Sequence, residues 1–175
     1  MLRGINLGPA RRVPMPELRT LLTGAGYTDV ATYVQSGNIV LSGDEPLEQL
    51  EPAVAALIED HFGFEVPVIG RSAQQLAAVL AHDPIPGAAQ DPKHYQVTFL
   101  ASEPAADVVA GLAERAGETE RVVAHGRELY SWHPDGIARS KLATSLTAKA
   151  LGASATARNW TTVTMLAEMA SRPSA

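Results

Sequence analysis

Ten residues of this 175-residue chain are candidates for contacts with an anion. Arginine and lysine would neutralise its charge, and asparagine or glutamine amides would orient it by hydrogen bonds. A glycine turn adds exposed backbone N–H groups, which together with amide donors can form a pocket for an oxyanion. These features predict a ligand-binding role for Arg3, Asn6, Gln35, Ser36, Gly37, Asn38, Arg139, Lys141, Arg158 and Asn159.

The distribution of charge along the chain points to the same kind of ligand. The net charge of −5 argues against non-specific binding to nucleic acid. Residues 1–42 hold four bases and two acids, and residues 136–175 hold five bases and one acid, whereas the segment between them has five bases and sixteen acids. If the fold brings the two basic ends together, their shared surface would favour a small phosphate- or carboxylate-bearing metabolite.

Each candidate also has a purely structural interpretation, and the sequence leaves both open. Gly37 could serve only a turn, and Asn38 could hydrogen-bond its own backbone. Arg3 must meet an internal carboxylate or a ligand, because an unpaired buried guanidinium is costly. Asn159 could be a plain N-cap, while Arg158 just before the same helix would favour an anion. All of these residues could instead serve an interface between two halves of the chain.

No reaction can be assigned from the sequence, and no residue is predicted to be catalytic. The chain has no cysteine, which excludes thiolate nucleophiles and cysteine-ligated metals. Its five histidines show no close ligand spacing, so we expect no metal site. Ser36 and Ser140 lie outside any nucleophile elbow, and no phosphate-binding or dinucleotide motif is present. We therefore expect no cofactor, and whether the protein is an enzyme stays open.

A non-catalytic interaction module is the alternative function. It would bind protein or single-stranded RNA through a sheet face or edge, and RNA binding of this kind needs aromatic side chains on the central strands. Tyr95 and Phe99 share a strand face with Val97, but we expect this apolar face to be core. The chain lacks a signal segment and an apolar run of membrane-spanning length. We expect a soluble cytoplasmic protein of undetermined oligomeric state.

The elements that must position these residues begin with a β-α-β-β-α-β pattern over residues 1–70. Two apolar, β-branched runs at 29–35 and 38–41 flank a Ser-Gly turn, which predicts a hairpin. Helical spacing predicts one helix after Pro16 and a second from an N-cap at Asp44 to Gly63. Short strands are expected at 1–7 and 65–69. This order is the ferredoxin-like pattern.

The rest of the chain repeats the pattern less regularly. Residues 71–92 predict a helix that opens with a Ser72–Gln75 capping box, followed by a proline-rich linker. Residues 93–175 predict the second half with a C-terminal helix: strands at 94–100, 119–124 and 127–132, and helices at 104–116, 139–151 and 159–171. The predicted fold class is α+β, with two ferredoxin-like β-α-β-β-α-β halves packed together and extra helices.

This topology makes a prediction about the first candidate residues. In a ferredoxin-like sheet the first and third strands are antiparallel neighbours at the centre. The end of the first strand therefore lies beside the start of the third. Asn6, Gly8 and the loop after them should lie next to the turn at 35–38, so that two glycine-bearing loops converge on one rim.

Several segments of the chain resemble the family catalogued as domain of unknown function 1697. The likeness covers nearly the whole chain and implies two ferredoxin-like halves, but it implies no activity. Members usually have more apolar residues before the first matching segment, which predicts a shortened first strand or a late start here. The matching segments are Arg-Gly-Ile-Asn at 3–6, Val-Pro-Met at 13–15, Tyr-Val-Gln-Ser-Gly-Asn at 33–38, Gly136, Arg-Ser-Lys-Leu at 139–142 and Thr-Ala-Arg-Asn-Trp-Thr-Thr-Val at 156–163.

Overall fold

The computed structural model describes residues 1–172 and has mixed helix and sheet content, an α+β fold with two separate sheets. The chain divides into two compact units. Unit 1 is Met1–Gln75 together with the chain from Leu166, and unit 2 is Leu76–Met165. Every helix within residues 1–172 is too short or too polar to cross a bilayer.

Unit 1 contains a β-hairpin preceded and followed by a helix. The elements are α1 (Met15–Gly24), β1 (Thr28–Tyr33), β2 (Asn38–Ser42) and α2 (Leu47–Phe62). The two strands are antiparallel and pair from Tyr33 opposite Asn38 to Thr28 opposite Ser42. The four-residue turn at 34–37 joins them, as the two apolar runs around the Ser-Gly pair predicted.

The prediction of a regular strand at 1–7 is wrong. Only Leu2 forms a β-bridge, with Val68, and the bridge is flanked by one backbone hydrogen bond on either side, from Arg3 N and from Ile69 N. The backbone enters the left-handed region at Gly4 (φ 68°) and again at Asn6 (φ 55°). Because left-handed residues cannot continue an extended strand, pairing stops there, and the strand expected at 65–69 is reduced to the same bridge.

Apolar side chains at helical spacing on α1 and α2 form the core of unit 1. Leu18, Leu22, Val54 and Ile58 are all 2% exposed or less and pack with Val66. Burying one such side chain stabilises the folded state by about 1.5–3 kcal/mol. The periodicity that predicted these two helices therefore also identified the residues that hold them together.

Helix α2 begins later than the sequence predicted. Its N-cap position is Pro46 rather than Asp44, while its end at Gly63, in the left-handed conformation, agrees with the prediction. The pyrrolidine ring of a proline disfavours helical dihedrals in the residue before it. Glu45 is therefore kept out of the helix, and a start at Asp44 is not available.

Unit 2 contains a four-stranded antiparallel sheet. Its strands are β3 (Tyr95–Leu100), β4 (Arg121–His125), β5 (Glu128–Trp132) and β6 (Ala155–Asn159), in the spatial order β4-β5-β3-β6. Strand β3 lies in the middle and pairs with β5 on one side and β6 on the other. One face of this sheet contributes Leu100, Leu129 and Ala155 to a core that includes Leu112 and Leu142.

The single helix predicted over 139–151 is wrong. A 3₁₀ turn at Ile137–Arg139 precedes two short helices, α5 (Lys141–Ser145) and α6 (Ala148–Leu151), and α4 (Ala106–Arg115) lies earlier in the chain. The Ser140 hydroxyl oxygen accepts from Ala143 N at 2.8 Å, and that of Thr147 accepts from Ala150 N at 3.2 Å. Each hydroxyl thus caps a new helix, which divides the segment.

Two further helices, α3 (Ala73–His82) and α7 (Trp160–Ala170), have residues in both units. The predicted capping box before α3 is confirmed. Ser72 N donates to the Gln75 side-chain oxygen at 2.8 Å, and Gln75 N donates to the Ser72 hydroxyl oxygen at 3.2 Å. This reciprocal pair fixes where α3 starts.

Gly37 has a role that an alanine could not fill. Its φ is 78°, and a Cβ placed there would lie 2.7 Å from Leu2 Cβ and 2.9 Å from Ile5 Cδ1. Gly63 has the same φ of 78°, and apart from its chain neighbours no described residue has an atom within 4 Å of its Cβ position, so it is a matched control for backbone strain alone. We expect Gly63→Ala to cost about 1–2 kcal/mol in the free energy of unfolding.

We expect Gly37→Ala to cost a further ~1–3 kcal/mol, because Leu2 and Ile5 must move to admit the methyl group. Urea denaturation of both variants measures this difference. Equal losses in the two variants would show that Leu2 and Ile5 accommodate the methyl group without cost, which would contradict a tight contact between the turn and Leu2.

Candidate functional site

The side chain of Asn6 joins the loop that follows it to the hairpin turn. Its Nδ2 donates to Gln35 O at 2.8 Å and to Val13 O at 3.0 Å, and its Oδ1 accepts from Val13 N at 2.9 Å. Its backbone N–H donates to Arg11 O at 2.9 Å. The two loops that the topology predicted to converge are therefore hydrogen-bonded to each other through one amide, whose donors are both occupied.

The hairpin turn is stabilised internally by Asn38. This residue is completely buried, and its Nδ2 donates to Tyr33 O at 3.1 Å and to the Ser36 hydroxyl oxygen at 3.0 Å. These bonds match the structural interpretation that the sequence left open for Asn38. Ser36 and Gln35 lie on the exposed part of the turn, whereas Gly37 is buried against Leu2.

A cleft of about 520 Å³ opens beside the Asn6–Gln35 hydrogen bond, within unit 1. Its size falls in the range of about 300–1,000 Å³ that is usual for small-molecule sites. One wall is the loop and the start of α1, and the other includes Gln35. The lining residues are Asn6, Gly8, Pro9, Arg12, Val13, Pro14, Met15, Pro16 and Gln35.

The electrostatics of this cleft favour a negatively charged ligand. Arg12 is the one charged residue in its lining, and within residues 1–172 its guanidinium has no hydrogen-bond or ion-pair partner. The neighbouring Arg11 differs, since it donates to Glu65 O and lies 5.2 Å from the centre of the Phe64 ring. Helix α1 also begins at the cleft without a side-chain N-cap, so its dipole adds to the positive potential.

Sequence reasoning identified the neighbourhood but missed Arg12. The sequence contains the Arg-Arg pair at 11–12. No motif or spacing indicates which of the two side chains hydrogen-bonds within the protein and which lines a cleft. Arg3, which was predicted, is half-buried; within the described part of the chain its side chain meets no carboxylate. It does not line the cleft.

The other predicted residues lie in unit 2, and each has a local environment of its own. Arg158, on β6, is 9% exposed and donates to the Thr156 hydroxyl and to Ala157 O, both at 2.7 Å. Burial lowers the pKa of its guanidinium to about 10. Because that value is far above neutrality, the group stays cationic at pH 7.

Asn159 acts as a helix cap, which is the structural interpretation considered for it. Its Oδ1 accepts from Thr162 N at 3.0 Å, at the start of α7. Arg139 and Lys141 are both exposed, on either side of the buried Ser140. Within unit 2, Arg158 is therefore a buried cation and Asn159 a capping amide. Arg139 and Lys141 face solvent.

A buried polar cluster in unit 2 was not predicted. His133 is 1% exposed, with Nδ1 2.7 Å from the Ser140 hydroxyl oxygen and Nε2 2.9 Å from that of Ser131. Glu120 accepts hydrogen bonds from Gly117 N at 2.7 Å and Leu142 N at 3.2 Å. These residues come from three separate segments, at 117–120, 131–133 and 140–142, so no short motif could have grouped them.

The protonation of this cluster follows from its hydrogen bonds. Burial raises the pKa of Glu120, but hydrogen bonds from Ser140 and two backbone N–H groups outweigh it, so the net shift is downward. Burial lowers the pKa of His133 more than the nearby carboxylate raises it. Ser140 donates to Glu120 when His133 carries its proton on Nδ1, and the opposite tautomer lets Ser140 donate to His133. Ser140 is only 5% exposed, so its hydroxyl is closed to a substrate in this conformation.

Two other kinds of site find no support in residues 1–172. No group of three or more His, Asp or Glu side chains within that range could hold a metal ion. The rings of Tyr95, Phe99 and Tyr130 on the unit 2 sheet are completely buried, as expected for core, and so cannot stack on a base.

Comparison with known proteins agrees with the resemblance of the sequence. The family model described as "Protein of unknown function (DUF1697)" matches residues 1–130. No curated protein matches the chain. A solved structure described as "The structure of conserved bacterial protein SP0830 from Streptococcus pneumoniae" is similar in fold, with a TM-score of 0.72 and 21% sequence identity, and the match covers 97% of this chain and 96% of that one.

Asn6→Ala tests whether the amide holds the cleft together. The variant loses three side-chain hydrogen bonds and places alanine at a φ of 55°. We expect a loss of about 2–4 kcal/mol in the free energy of unfolding. Asn6→Gly removes the same bonds without the strain, so it should be intermediate; urea denaturation measures both. A loss below ~0.5 kcal/mol for Asn6→Gly would contradict the role given to the amide.

The buried cluster predicts a loss of stability in acid. The pKa of His133 is lower in the folded protein than its ordinary 6.5, and that of Glu120 is lower than its ordinary 4.5, so the unfolded chain binds more protons as the pH falls. Stability is therefore complete above about pH 7 and decreases below 6.5. In His133→Gln the pH dependence between 7 and 5 should flatten, whereas the exposed His125→Gln should retain it, as measured by Tm against pH.

Proposed function

We propose that this chain, which belongs to the DUF1697 family, binds a small anionic metabolite in the cleft of unit 1. Among residues 1–172 the cleft is lined by a cation and amide groups but by no nucleophile or metal ligand set, so we propose binding and not a chemical step.

The unpartnered guanidinium of Arg12 is the observation that carries the proposal. A charged group on the surface of a small cleft, with no carboxylate beside it, is available to a ligand at little cost in broken contacts. Gln35 adds an amide that has no side-chain partner within residues 1–172. Arginine can bind a carboxylate or phosphate through two parallel hydrogen bonds, and the amide can add a third.

The remaining lining residues support a preformed site. Asn6 holds both walls by hydrogen bonds, and three prolines at positions 9, 14 and 16 have fixed φ angles. A rigid wall loses little conformational entropy when a ligand binds. In this proposal Asn6, Gly37 and Asn38 shape the site, whereas Arg12 and Gln35 contact the ligand.

We also infer that each unit is a ferredoxin-like half. In unit 2 the strand order β4-β5-β3-β6 has the first strand of the unit at the centre, beside the third. In unit 1 Leu2 N donates to Gly37 O at 2.8 Å, just before β2, and Leu2 also bridges Val68. The short segment at Leu2 therefore has the neighbours that the first strand of the same pattern would have.

Anion binding can be tested by thermal shift at low ionic strength. Inorganic phosphate, acetate, sugar phosphates and organic acids are the probes, since screening by salt would weaken contact with an exposed arginine. At one hundred times the Kd, a single site should raise Tm by about 5–10 °C. Arg12→Gln should abolish the shift.

Arg139→Gln is the matched control, because Arg139 is an exposed arginine of unit 2 and another candidate from the sequence. It should leave the shift unchanged. A shift lost in Arg139→Gln but kept in Arg12→Gln would move the site to unit 2, and no shift with any anion would reject the proposal.

A further inference from the structure

Two large, exposed apolar side chains lie next in sequence to residues that line the unit 1 cleft. Leu7 is 89% exposed and Val34 is 54% exposed. Each is the chain neighbour of one member of the Asn6–Gln35 pair, whose Nδ2-to-O distance is 2.8 Å. Both apolar residues therefore adjoin, in sequence, residues that line the cleft, and one hydrogen bond joins the two segments that carry them.

The backbone at Val34 has a strained conformation. Its φ is 50°, in the left-handed region, which is a genuine outlier for a β-branched residue. Hydrogen bonds to the carbonyls on either side, from Asn38 to Tyr33 O and from Asn6 to Gln35 O, hold it there. Strain of this kind persists where the surroundings over-determine it and is concentrated at ligand sites.

The charge of the cleft limits the charge of its ligand. Arg12 is the one charged lining residue, so it can neutralise one negative charge. A phosphate dianion would have a second charge opposed only by the partial charge of the α1 N-terminus. A carboxylate has one charge and matches the planar guanidinium with two oxygens.

We infer that the ligand class is an aliphatic monocarboxylate, with its carboxylate at Arg12 and Gln35 and its hydrocarbon chain against Leu7 and Val34. This inference rests on the proposed function and makes it narrower. It accounts in one arrangement for a cation without a partner in residues 1–172 and for two exposed apolar side chains that adjoin cleft residues in sequence. A ligand chain would cover apolar surface that is otherwise in contact with water.

A series of straight-chain carboxylates from acetate to octanoate tests the inference by isothermal titration calorimetry. Affinity should rise about fourfold for each methylene that becomes buried, until the hydrocarbon chain covers Leu7 and Val34. Arg12→Gln should weaken every member of the series by a similar factor. Phosphate should bind more weakly than hexanoate.

Val34→Asn separates a binding role from a structural one. Asparagine accepts the left-handed conformation, so the variant should have a higher Tm than the natural chain while its gain in affinity per methylene falls. Leu7→Ser should also reduce that gain. Ile137→Ser, which removes another exposed apolar side chain in unit 2, is the control and should leave the series unchanged.

The outcomes distinguish this inference from the proposal on which it rests. If anions bind through Arg12 but affinity does not depend on chain length, the monocarboxylate class is overturned and anion binding stands. Chain-length dependence that survives unchanged in both Val34→Asn and Leu7→Ser also overturns it. If no anion binds in an Arg12-dependent manner, both statements fail.

Discussion

The amide of Asn6 is the interaction on which the candidate site depends. One planar group satisfies both hydrogen-bonding groups of Val13 and also binds the carbonyl of Gln35. A side-chain hydrogen bond normally contributes about 1 kcal/mol to stability, so the three made by Asn6 contribute roughly 3 kcal/mol together. The same amide thereby sets the spacing of the cleft walls and helps to hold Val34 in its strained conformation.

That arrangement is possible because the chain departs from regular pairing soon after Leu2. Left-handed dihedrals at Gly4 and Asn6 end the extended segment, and the loop that follows can then turn back toward the hairpin. Gly37 also packs closely against Leu2, which fixes the position of the hairpin turn relative to this segment. Asn6, which a regular strand at 1–7 would include, instead lines the cleft. The shortness of the strand and the presence of the cleft are thus two consequences of one backbone conformation.

The sequence predicted the parts of this structure that depend on local chemistry. Apolar periodicity identified α1 and α2, the Ser-Gly turn identified the hairpin, and topology identified the convergence of Asn6 with the turn. It failed in two places for different reasons. The helix expected at 139–151 is divided by local caps at Ser140 and Thr147, two residue types that occur at other helix positions as well. The cluster around His133 joins segments that only the fold brings together.

The polar residues of the two units fall into groups that residue type alone does not separate. Asn38 and Arg158 are buried and bonded to their own backbone surroundings, so they serve the fold. Arg12 and Gln35 are exposed, and their side chains have no partner within residues 1–172. Binding energy comes from groups that exchange water for ligand, because a group already bonded in the protein must first lose that bond. Availability therefore distinguishes candidate ligand contacts from residues that serve the fold. Because the exposed Arg139 and Lys141 of unit 2 share this availability, the cleft beside Arg12 and Gln35 is what favours unit 1.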